Sequence, residues 1–117
     1  MKAGSVKLAV MFVKNAVAHA QFHPERMGKS DLCRGEFLFA GLNAFEPGQQ
    51  NAAHTHDSQD KLYYVLQGSG LVRIGEEAAT LHAGDAALAP AGVVHSILNS
   101  GAEKLIVMAV MAPPPRA

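Results

Sequence analysis

The 117-residue chain carries one cysteine, Cys33, and no tryptophan. A lone thiol excludes an internal disulfide and a thiolate zinc site. The expectation is a reducing, cytoplasmic setting, with Cys33 a small buried hydrophobe. Excess charge is missing as well: ten Lys and Arg balance ten Asp and Glu, and the basic residues are scattered singly. No basic stripe invites nucleic acid, so none is expected as a partner. A neutral protein of this size is prone to self-association, and a homodimer is expected. Long apolar runs are also lacking. The stretch 6–13 is broken by Lys7 and followed by Lys14 and Asn15. It is read as an early strand or edge segment, not as a signal peptide or a membrane span. Finally, no long segment spaces its apolar residues at helical intervals.

What is present is a strand pattern. Apolar residues make up 49% of the chain, enough for one packed core and one domain over residues 1–117. Segments 36–45, 53–56, 62–66, 71–74, 80–82, 86–89, 94–98 and 105–111 read as strands, with glycine-bearing turns recurring about every ten residues. That is the signature of an all-β sandwich or barrel. The polar region 24–32 reads as a loop or a helical turn, and residues 49–51 as an exposed loop. Phe37, Phe39 and Phe45 are expected in the barrel wall, and Met11, Met108 and Met111 in the core. Three consecutive prolines end the ordered chain in an extended tail over 112–117.

The chemistry points to histidine. His54 and His56 are one residue apart, so on a strand their side chains share a face and can chelate one ion. Imidazole serves Zn, Fe, Ni and Cu alike. His95 has to arrive from another strand, launched by the corner at Pro90 and Gly92. Gly48 and Gly84 sit in turns that require positive φ. Lys61 and Tyr63 share strand parity and are expected inside the barrel, with Tyr64 outside. His19, His23 and His82 lack comparable support and read as structural or solvent-facing, and Asn99 as the holder of a turn.

Two spacings carry a family resemblance. The first runs Gly48-QQNAA-His54-Thr55-His56-DSQD-Lys61-LYYVLQ-Gly68, and the second Gly84-DAALA-Pro90-Ala91-Gly92-VV-His95-SIL-Asn99. Segments 48–68 and 84–99 resemble the two motifs of the cupin superfamily, and the chain looks like a single-domain member. The resemblance implies a double-stranded β-helix, the cupin jelly-roll barrel. It also implies a divalent transition metal (Fe, Zn, Ni or Mn) on His54, His56 and His95.

One position departs from the pattern. The family's first motif ends its ligand set with glutamate, where this chain has Lys61. An ammonium group offers donors only and cannot ligate while charged. Gln59 shares the inward parity and is the candidate weak fourth ligand. Asp60 is the better ligand chemically but has the wrong parity unless a bulge re-aims it. Three neutral imidazoles leave the ion's charge uncompensated and coordination positions open. An inward Lys61 at ~6 Å from a divalent ion would be repelled by about 5 kcal/mol at an effective dielectric of 20. Three outcomes relieve this: Lys61 is neutral, it turns away onto Asp60, or an anionic ligand bridges it to the metal. The functional expectation is a metal-dependent oxygenase, isomerase or lyase acting on a small anionic molecule, with Lys61 neutralising the anion and Tyr63 a candidate proton donor. The alternative is a non-catalytic small-ligand binding or sensing module on the same barrel.

Overall fold

The computed structural model describes residues 11–55 and 57–115. Among the described residues, a 3-10 turn, Ala16–His19, precedes nine strands: β1 (Gly28–Arg34), β2 (Phe39–Phe45), β3 (Gln50–His54), β4 (Asp60–Gln67), β5 (Ser69–Ile74), β6 (Glu77–His82), β7 (Ala86–Ala89), β8 (His95–Leu98) and β9 (Leu105–Ala112). They form two antiparallel sheets. The larger has the order β1-β2-β9-β4-β7 and the smaller β3-β8-β5-β6. Among the described residues, no helix is long and apolar enough to cross a membrane.

Alternation in β4 shows how the sequence builds the barrel. Its burial alternates strictly from Asp60 to Val65, with Lys61, Tyr63 and Val65 inside and Asp60, Leu62 and Tyr64 outside. The apolar inward residues join Phe45, Val72, Ile97, Leu105 and Val107 in the core between the sheets. Each such apolar side chain contributes on the order of 2 kcal/mol by leaving water. A second cluster, Leu32, Ala40, Leu42 and Ile106, lies on the back of the larger sheet, with Val13, Val17 and Phe22 packed over it.

Several expectations change here. Region 24–32 is not a loop or helical turn throughout: β1 begins at Gly28 and pairs with β2 along its length, with a register shift between Asp31 and Cys33. Residues 50 and 51 belong to β3, not to a loop. Phe37 and Met11 are solvent-exposed, at 75% and 71%, so neither serves wall or core. Of the apolar segment 6–13, residues 11–13 are not in a strand, and residues 6–10 lie outside the described residues. Asn99 does more than hold a turn. It is buried and donates to the carbonyls of Phe45 and Glu103, while Gly101 N–H donates to its Oδ1. It thus ties the end of β2 to the turn before β9.

The turns at Gly48 and Gly84 have φ of 85° and 95°, the left-handed region expected for them. Gly68 combines φ of 80° with a crowded site: a Cβ there would lie 2.3 Å from the Lys104 carbonyl oxygen. Gly68→Ala should therefore cost about 2–4 kcal/mol, from backbone strain plus the clash. A urea midpoint within experimental error of the parent would show that the β4–β5 turn yields at little cost.

Candidate metal and anion site

The site begins with a register. β3 and β8 pair antiparallel so that His54 stands directly opposite His95. Their ring centroids are 4.2 Å apart, crossed at 66°. The motif spacings thus bring imidazoles from two distant stretches together. His95 is buried at 2% exposure, and His54 is half-buried.

Each ring is oriented by its own backbone. His54 Nδ1 lies 2.6 Å from the Ala52 carbonyl oxygen, and His95 Nδ1 3.0 Å from that of Val93. A carbonyl only accepts, so in both rings Nδ1 carries the proton and donates. The lone pair then resides on Nε2 in each neutral ring. This second-side hydrogen bond fixes tautomer and orientation in the way metal-ligating imidazoles require. Burial holds the His95 pKa below its ordinary value, with the fields of His54 and Lys61 adding to it and the Val93 hydrogen bond opposing. The neutral form is the one that ligates. The donor set fits a divalent transition ion. Among the described residues, no third imidazole, thiol or carboxylate joins this pair in a metal-holding cluster. His56, the expected third ligand, lies outside the described residues.

Lys61 is inside, as its parity predicted, at 7% exposure. Among the described residues its Nζ has no carboxylate within ion-pair distance and no hydrogen-bond partner. Its contact is with the Tyr63 ring, 5.2 Å from Nζ to the centroid. Burial first, and Lys29 second, lower its pKa from 10.5 to about 8. Tyr63 is fully buried, and its ring meets His95 edge-on at 6.0 Å. Burial pushes its phenol well above the usual range, so it remains a protonated donor. Its hydroxyl has no hydrogen-bond partner among the described residues. Such an orphan is costly in a finished core.

Gln59 is also buried, and its Nε2 donates to the Pro113 carbonyl at 3.0 Å, so its amide is tied to the C-terminal tail. The Asp60 carboxylate faces out and accepts from the Ala91 N–H at 2.9 Å, which keeps it away from the barrel interior.

A cavity of about 370 Å³ joins His54 to Lys61. His54 and Lys61 line it together with Lys29 and Asp31 of β1, Asn43 of β2 and Asn51 of β3. Its floor is low at Gly41 and Ala109, which face each other across β2 and β9. Pro115 closes one side, its carbonyl accepting from the Arg34 guanidinium. Larger open clefts of about 520 and 580 Å³ lie elsewhere, but neither His54 nor His95 lines them. Sequence reasoning missed Lys29, Asp31, Asn43 and Asn51. Only the pairing of β1 with β2, and of β3 with β8, places them here.

Residues 41–111 match the family described as Cupin domain. The chain is 32% identical over 110 residues to the oxalate-binding protein of Thermotoga maritima, covering 81% of this chain and 91% of that one. Its fold superposes on the crystal structure of TT1209 from Thermus thermophilus with a TM-score of 0.84 at 40% identity, covering 88% of this chain and 98% of the other. A predicted oxalate decarboxylase from Thermotoga maritima superposes with a TM-score of 0.63 at 27% identity, over 67% of this chain and 68% of that one. With its two paired sheets, its double motif and these relatives, the chain belongs to the cupin family.

Proposed function

We propose that this barrel binds a divalent transition metal through His54, His56 and His95, with Gln59 as a weaker fourth ligand, and holds a small anionic molecule beside it. The observation that carries the reading is the pairing of His54 and His95. Both rings are locked by Nδ1 donation to a carbonyl, and His54 shares a cavity with a buried lysine that has no counter-charge among the described residues. The relatives named for oxalate support an anionic ligand. An ion so held supplies Lewis acidity to a bound oxyanion. The protein's own groups do the rest. Lys61 neutralises the ligand's charge from within the cavity. Tyr63, its ring against His95, is the candidate proton donor to the ligand.

The enzymatic reading is an oxygenase, isomerase or lyase. The alternative is a binding or sensing module, favoured by the scarcity of acid–base groups. Asp31 is the only carboxylate lining the cavity among the described residues. Self-association as a homodimer is part of the proposal, supported by the exposed Leu62, Tyr64 and Leu88 on the outer face of β4 and β7.

Untagged protein grown in metal-supplemented medium is expected to retain about one transition ion per chain by mass spectrometry. Calorimetric titration with oxalate should then show binding that chelator treatment removes. A metal-free preparation from such medium, or oxalate binding indifferent to chelation, would overturn the reading. Oxygen consumption with thiols or diketones would select the oxygenase over the binder.

A further inference from the structure

Two cations, one buried and one at the rim, and a buried amide in the cavity remain without partners among the described residues, and they lie on strands away from the histidines. Lys61 projects from β4 and Lys29 from β1, with β2 and β9 between them in the sheet. Asn43, paired with Lys29 across β1 and β2, is buried at 6% exposure, and its side chain makes no hydrogen bond among the described residues. Lys61 and Asn43 both line the cavity, so their donors are open to a ligand there. One carboxylate of the described residues, Asp31, lines the same cavity, and it forms no ion pair within 4 Å with either lysine. Two ammonium groups against one carboxylate leave this lining net positive before any metal is counted.

The shape agrees with the charge. Gly41 and Ala109 add little bulk to the cavity lining, to which β1 contributes Lys29 and β4 contributes Lys61. Lys29 is close enough for its field to act on Lys61. A ligand with one charge, engaged at the histidine end, would leave the lysine end uncompensated. We propose that Lys29, Lys61 and Asn43 form a second anchor that selects ligands with two anionic ends, small dicarboxylates, with one end toward His54 and His95 and the other received by the two lysines and the Asn43 amide. This rests on the reading that the histidine end holds an ion and accepts an anion. It adds the class of ligand and two residues that the motif does not contain.

The test is calorimetry on the metal-loaded protein at low salt, where such charges are least screened. The probes are oxalate, malonate and succinate, with acetate and inorganic phosphate as comparisons. The best dicarboxylate should bind at least about tenfold more tightly than acetate or phosphate, the size of one added charge-assisted contact. Lys29→Met, a change at the exposed rim that leaves the core intact, should weaken that dicarboxylate about tenfold. Acetate affinity should stay within roughly twofold, and the bound-metal content should be unchanged. Equal affinities for acetate and dicarboxylates, tightest binding of phosphate, or a Lys29→Met protein with parent dicarboxylate affinity would each overturn the second anchor while leaving the metal site standing. Absence of bound metal, or of binding by any anion, would overturn the reading beneath it and the anchor together.

Discussion

Replacing His95 with alanine is expected to weaken transition-metal binding at least about a hundredfold, more than the 10- to 100-fold typical of losing a residue that only supports a ligand. The side chain is held on β8 opposite His54, with Nδ1 committed to Val93 and the lone pair on Nε2. No neighbouring described residue offers an equivalent donor at that place. Because His95 is buried beside Tyr63, the substitution also leaves a hole, at a cost of about 1–3 kcal/mol. Metal linkage separates the two effects. A metal at a hundred times its dissociation constant stabilises the folded state by about 2.7 kcal/mol, which for a domain of this size raises Tm by roughly 10 °C. Parent protein should show that rise when metal is returned after chelation, and His95→Ala should show almost none. An equal rise in both proteins would place the ion elsewhere.

The histidine pair was legible because its information is local. The Pro-x-Gly corner fixes where the next strand starts, and it brings His95 back across to His54; His56, the other half of the local spacing, lies outside the described residues. Strand parity likewise placed Lys61 and Tyr63 inside and Asp60 and Tyr64 outside. What escaped was β1. A strand is recognised by apolar alternation, yet β1 turns Lys29 and Asp31 toward a cavity instead of toward the core. A strand that lines a polar hollow loses the pattern that would reveal it, and Gly28–Arg34 therefore reads as irregular chain. Asn51 in β3 was missed for the same reason. The opposite error befell Phe37 and Met11. Their apolar character suggested burial, although exposed apolar residues are ordinary on a folded surface. The proline tail also does more than end the chain, since Pro113 and Pro115 accept hydrogen bonds from Gln59 and Arg34 and bring the tail back to the cavity.

Lys61→Met is expected to move stability and ligand affinity in opposite directions. Methionine nearly matches the lysine stem in length and removes a buried ammonium that has no carboxylate partner among the described residues. Folding must desolvate that charge in the parent, so the variant should be more stable at pH 7 by about 2 kcal/mol, or about 8 °C in Tm. The pH dependence identifies the cause. In the metal-free folded protein burial and Lys29 hold Lys61 near 8, against 10.5 for an exposed lysine. Between those values the unfolded chain binds more protons than the folded one, so parent stability rises with pH. Below about 8 both states are protonated and the penalty is present in full. The melting temperatures of parent and variant should therefore differ most below pH 8 and converge toward pH 10.5, a comparison in which the other lysines cancel. The same variant should bind oxalate at least about tenfold more weakly, having lost a charge-assisted contact. Buried positive charge kept at the expense of stability is what a binding site for anions requires. A variant no more stable than the parent, or a difference that persists unchanged to pH 10.5, would show that Lys61 is already compensated within the folded chain.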